Sequence, residues 1–168
     1  CRWAQPAIEA ALELQRRLAV DAADLAQITV TTFREAAQLF CRHPRTTEEA
    51  QYSLPYPLAA AVVRGGIGVA ELDASGFADP HIRRVSDIVS IEGSARYDAV
   101  FPAERWAHVT FRLTDGRVVT SEATSARGDP DSPLSAEQLA AKYRALTVPL
   151  LGAERSARIA TEVNHLGG

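Results

Sequence analysis

The chain has 168 residues, with eighteen basic and twenty-one acidic side chains and a formal charge of −3. That length suits one domain with a real core, and a balanced charge without a basic stripe argues against nucleic-acid binding. Cys1 and Cys41 make neither a disulfide framework nor a zinc spacing, and the longest strongly apolar run, residues 58–63, falls far short of the ~20 residues of a membrane span.

Pro6 suits a first helical position, and Ile8, Ala11, Leu12 and Leu18 recur at helical spacing, which predicts a helix to about Val20. Residues 21–24 make a turn. Residues 27–33 (QITVTTF) are β-branched and alternating, a strand with Ile28 and Val30 expected toward the first helix. Residues 34–40 leave extended chain and a short turn equally open. Thr46 with Glu49 is a capping-box signature that opens a helix, and Pro55 and Pro57 must break it because each lacks an N–H. A second helix follows over residues 58–64, stopped by Gly65-Gly66; its alanines lose little side-chain entropy on burial, so it is expected at the centre.

Asp79 as cap and Pro80 as first residue predict a helix to about Val89, with residues 88–92 turning into a strand. Ala107, Val109, Phe111 and Leu113 alternate with His108, Thr110 and Arg112, so one face of this strand is buried and the other wetter. Asp115-Gly116 supplies the hairpin turn to a partner strand ending near Glu122. After a rigid loop over residues 128–133, Ser135 and Gln138 form a second capping box; Pro149 and Gly152 separate that helix from a last amphipathic one, residues 153–166. This order predicts a single α+β domain over residues 1–168. It would have two layers, with helices packed on one face of an antiparallel sheet.

Few residues carry a chemical signature by themselves. Ser53 lacks the small-residue elbow of a nucleophilic serine, and Cys41 with His43 reads as a solvated turn. The four histidines share no ligand spacing, so no metal site is expected. The sequence Gly65-Gly66-Ile67-Gly68 follows a helix rather than a strand, which removes a nucleotide loop. The loop from Arg127 to Pro130 could hold an anion, although a plain turn is the simpler account. Residues 46–56 stand out more, because they place Gln51, Tyr52, Ser53 and Tyr56 at a forced break in the backbone. On its own that segment reads either as a pocket wall or, more simply, as a kinked helix around a core tyrosine.

Four runs in register settle the choice toward a pocket. Glu49 to Tyr56 resembles the "EAxxSLPY" run of the C-terminal domain of the MmgE/PrpD family, the 2-methylcitrate dehydratase type. Cys1 to Ala10 resembles its "CRxxHPAIDA" run, Val109 to Val118 its "VTxxLxDGR" hairpin, and Gly128 to Tyr143 its "GDPxxPLSxxxLxxKF" run. The resemblance implies the smaller α+β domain of a protein whose larger, N-terminal domain is all helical, with the active site in the cleft between them. The absence of methionine and a start at Cys1 fit such an excised piece. Enzymes of this type include 2-methylcitrate dehydratase, cis-aconitate decarboxylase and iminodisuccinate epimerase. They move a proton next to a carboxylate of a small di- or tricarboxylic acid, without metal or organic cofactor.

The resemblance also implies the site: Tyr52 as the candidate catalytic acid, and Arg2, Gln5, Gln51 and Ser53 as substrate-binding residues. Trp3 and Tyr56 are expected to pack against the neighbouring domain. Many relatives carry His where this chain has Gln5, and a basic residue where it has Gln51; glutamine orients a carboxylate but neither shuttles a proton nor neutralises charge. A non-catalytic binding or assembly module that keeps the fold is therefore the competing reading. The implied partners are the N-terminal helical domain and a small polycarboxylate, with a homodimer left open for the full-length protein and neither nucleic acid nor membrane. A reducing cytoplasm is the setting that the unpaired cysteines suggest.

Overall fold

The computed structural model describes residues 1–166, in two compact units: Cys1–Ala126 and a second unit beginning at Arg127. The first unit opens with a short 3-10 turn, Arg2–Ala4, that runs straight into helix α1, Gln5–Leu18. Pro6 lies in the first turn of α1, where its missing N–H costs nothing. The helix buries Ala7, Ile8, Ala10, Ala11 and Leu14 along one stripe, and ends at Leu18, two residues short of the predicted Val20, with Ala19 as its left-handed cap.

Strand β1 spans Leu25–Thr32 and begins two residues earlier than predicted, at a register irregularity between Leu25 and Gln27. Helices α2 (Arg34–Ala37), α3 (Thr47–Gln51), α4 (Pro55–Arg64), α5 (Ala74–Ala78) and α6 (Pro80–Asp87) follow before strand β2, Val89–Gly93. Residues 34–37 are thus helical where the sequence left the choice open. The Thr46 hydroxyl accepts the Glu49 N–H at the start of α3, but the Glu49 carboxylate reaches back to the Arg45 N–H, so the expected box is offset by one residue. Asp79 caps α6 by accepting from His81 and Ile82. A short α7, Ala95–Asp98, leads to strands β3 (Trp106–Leu113), β4 (Val118–Thr120) and β5 (Thr124–Ser125).

The sheet runs β2-β1-β3-β4, with β5 also paired to β3. Its β1–β3, β3–β4 and β3–β5 pairs are antiparallel, but β2 lies parallel to β1. The sheet is therefore mixed rather than antiparallel. The long helical excursion from α2 to α6 lets the chain return in the same direction, which no hairpin could do. Ile28, Val30, Val89, Ala107, Val109, Phe111 and Leu113 are buried on one face, where helices α1 and α4 pack, with α6 against α4. Ile28 and Val30 thus face the helical layer, and within it α1 lies over β3. The other face carries hydroxyls, with Thr29 bonded to Ser90 and Thr110 to Thr120. Helix α4 is buried at Pro55 through Val62, the central place its alanines predicted.

The second unit opens with a plain turn, in which the Gly128 N–H donates to Ser132 and the Ser132 N–H to Asp129. Helix α8, Ala136–Leu151, starts with the complete Ser135/Gln138 capping box. Pro149 sits inside its last turn, where it removes one hydrogen bond without ending the helix. Gly152 alone joins α8 to α9, Ala153–His165, and the two helices are tied by the Tyr143 hydroxyl donating to the Ser156 carbonyl. An apolar groove lined by Leu139, Tyr143, Val148, Ile159 and Val163 runs between them. Among the described residues, no helix is long and apolar enough to cross a membrane.

Candidate functional site

Four aromatic and backbone contacts fix where the chain's first turn meets α3. Trp3 packs edge-on against Phe33 and Phe101, with ring centroids 5.8 and 5.7 Å apart, and Phe33 and Phe101 stack at 4.5 Å. The Cys1 nitrogen donates to the Gln51 carbonyl at 2.8 Å. Between these elements lies a cavity of about 390 Å³ lined by Cys1, Arg2, Trp3, Leu39, Gln51 and Tyr52. Two segments distant in sequence, residues 1–3 and 51–52, thus converge on one hollow.

Its polar edge comes from Arg2, Gln51 and Tyr52. The Arg2 guanidinium donates to the Gln5 amide oxygen at 2.6 Å and, more weakly, to the Ala126 carbonyl at 3.5 Å. Gln5 therefore belongs to the site through Arg2 rather than by lining the hollow. Tyr52 closes α3 and is 69% exposed; neither its phenol nor the Gln51 amide has a hydrogen-bond partner among the described residues. Trp3 and Leu39 supply the apolar wall. The arrangement can offer anionic oxygens one cation and several neutral donors, but no carboxylate or imidazole lines the cavity.

The profile of the MmgE/PrpD C-terminal domain matches residues 1–167. The chain belongs to the MmgE/PrpD family. No match was found among curated proteins.

Two residues of the 46–56 segment lie away from the cavity in this MmgE/PrpD domain: Ser53, expected to bind substrate, and Tyr56, expected to pack against a neighbouring domain. Ser53 is fully buried and lines no part of the cavity, because two backbone groups at the α3–α4 break need its hydroxyl: it donates to the Cys41 carbonyl at 2.5 Å and accepts the Tyr56 N–H at 3.2 Å. Tyr56 is 1% exposed and packs within its own unit, edge-on to Phe77 at 5.6 Å, with its hydroxyl donating to the Glu71 carbonyl at 2.5 Å. Burial, and then the nearby Glu71, Asp73 and Asp79 carboxylates, push its phenol up to about 12. Trp3 also packs on rings of this unit, Phe33 and Phe101.

The MmgE/PrpD domain contains two polar pairs that spacing did not reveal. His43 Nε2 meets the Asp87 carboxylate at 2.7 Å, and the Tyr97 hydroxyl meets His108 Nδ1 at 2.8 Å. Burial holds the His108 imidazole below its ordinary value, helped by Arg96 and opposed by Glu92. His108 lies on the strand face that the alternation marked as wetter, and Tyr97 of α7 packs over it. Leu39 was invisible for a different reason: residues 34–45 carry no period from which to read a wall. Among the described residues, no three His, Cys, Asp or Glu side chains gather as metal ligands.

Proposed function

We propose that this domain supplies one wall of the substrate cleft in a cofactor-independent lyase or isomerase. That enzyme moves a proton next to a carboxylate of a small di- or tricarboxylic acid. The observation that carries the reading is the convergence of Arg2, Gln51 and Tyr52 on one cavity. Taking a proton from beside a carboxylate builds enolate-like charge, which a fixed cation and donors stabilise. Arg2, held by Gln5, binds a substrate carboxylate, Gln51 orients it, and the Tyr52 phenol delivers the proton. The base and the remaining cations come from the N-terminal helical domain of the same protein, which works in the cytoplasm.

Incubating the full-length protein in deuterium oxide with 2-methylcitrate, cis-aconitate or iminodisuccinate tests this. Proton NMR is expected to show deuterium entering one of them beside a carboxylate. No exchange and no product with any small polycarboxylate refutes it.

One observation favours a second reading, a non-catalytic module of the same fold. The resemblance implies ionisable side chains in many relatives at the positions of Gln5 and Gln51, and here Gln5 is engaged by Arg2. Gln5→His with Gln51→Lys separates the readings: activity that arises only in the double variant favours the module, whereas activity in the parent that falls in Tyr52→Phe favours the enzyme.

A further inference from the structure

The backbone leaves α3 at Tyr52, with φ −99° and ψ 39°, and re-enters a helix at Pro55. Pro55 and Pro57 have no N–H, so Tyr56 supplies the one N–H among the first three residues of α4. Ser53 accepts it. The same hydroxyl donates to the Cys41 carbonyl, and the next residue, Leu54, donates its N–H to the Leu39 carbonyl at 2.8 Å. Two alternate carbonyls of the loop after α2 are thus held by two consecutive residues at the bend, and Ser53 and Leu54 are both fully buried. Leu39 is a wall of the cavity, while Tyr52 is the residue immediately before the hydroxyl that ties the two segments together.

Tyr52 has no side-chain hydrogen bond of its own among the described residues, so its position is set by the backbone on either side. Upstream, its N–H donates to the Glu48 carbonyl at 2.9 Å. Downstream, the constraint is Ser53. We propose that Ser53 is a positioning residue: its hydroxyl clamps the Leu39–Cys41 loop to the start of α4, and so holds Gln51 and Tyr52 in register with the Leu39 wall. The assignment rests on the function proposed above. It adds a residue that acts on substrate only through Tyr52 and Gln51.

The test uses the full-length protein as parent, Ser53→Ala, Tyr52→Phe and the double variant, with Leu113→Ala, buried at the far end of β3 and lining no part of the cavity, as a control for lost stability. Hydrogen exchange by mass spectrometry is expected to rise at least tenfold in Ser53→Ala in peptides covering residues 38–42 and 52–57. At a temperature well below unfolding, kcat is expected to fall roughly 100-fold, the scale of a displacement of about 1 Å in a catalytic group, with a smaller change in KM. Leu113→Ala keeps the parent kcat. In the Tyr52→Phe background the loss from Ser53→Ala shrinks to less than threefold, because residues that act as one unit are not additive. The inference is overturned by any one of three results: unchanged exchange at the bend, an unchanged kcat, or an equal loss in both backgrounds. A parent with no turnover on any small polycarboxylate sinks the function itself and takes this role with it, an outcome visible before any variant is made.

Discussion

Replacing Tyr56 by Phe removes one oxygen and nothing else from the middle of the first unit. The ring stays in place, still edge-on to Phe77 at 5.6 Å. What is lost is a 2.5 Å hydrogen bond to the Glu71 carbonyl, made by a residue that is 1% exposed. A net hydrogen bond contributes about 1 kcal/mol, and a carbonyl left without its donor adds a further desolvation penalty, so the expected destabilisation is about 2 kcal/mol. Deleting the whole ring in Tyr56→Ala should cost about 4 kcal/mol, because cavity formation is then included. Urea unfolding of the full-length protein at pH 7 measures both. The hydroxyl also predicts a pH signature. Because burial raises the phenol to about 12, the native state holds this proton more tightly than the unfolded chain, whose tyrosines titrate near ~10. The resulting stability is fully present below about pH 10 and is lost as pH climbs toward 12. Tyr97 is raised in the same direction by burial and remains in both proteins, so the difference between parent and variant isolates Tyr56. The reasoning is refuted if the variant matches its parent at pH 7, or if their alkaline slopes run parallel.

Tyr52→Phe is expected to lower kcat about 100-fold, the scale of a lost general acid, while leaving unfolding free energy within about 0.5 kcal/mol, since the residue is 69% exposed. His108 is held below its ordinary value near ~6.5, so the stability it contributes is present above that pH and lost as pH falls through its lower native value. His108→Gln, which cannot titrate, should flatten the acid limb of a stability–pH profile. Ala19 sits at φ 51°, ψ 46°, so Ala19→Gly relieves left-handed strain and should stabilise by about 0.5–1 kcal/mol in denaturant titration. Gly76→Ala should destabilise by more than about 2 kcal/mol, because its Cβ would stand 2.6 Å from the Glu71 carbonyl oxygen, a backbone atom that cannot swing aside.

Local rules read this fold well where the answer is local. The Ser135/Gln138 box, the Asp79-Pro80 start, the alternation along β3 and the Gly116 turn at φ +91° depend on a few neighbouring residues, and each was legible. The parallel pairing of β1 with β2 was not, since nothing in Val89–Gly93 states which strand it will meet. The site divides along the same line. Resemblance placed Arg2, Gln51 and Tyr52 together, and the cavity contains all three. Ser53 and Tyr56 lie one and four residues beyond Tyr52, yet both turn inward. Whether a side chain at a proline-broken bend points out or in depends on where the chain re-enters the helix, and a period of 3.6 has no phase across such a break.

The charge around the cavity bears on what must complete it. A di- or tricarboxylate brings two or three negative charges, and the lining residues bring one guanidinium, which already holds Gln5. An exposed cation facing an anion across water contributes about 1 kcal/mol or less, far below what selects a polyanion or stabilises an enolate. The same Arg2 in a closed cleft, with water excluded and further cations across from it, gains several-fold in strength because the local dielectric falls. An isolated wall of this composition should therefore bind such acids only weakly. Appreciable affinity should appear only when the helical domain is present, and titrating the domain alone and the full-length protein with the same acid distinguishes a half-built site from a self-sufficient one.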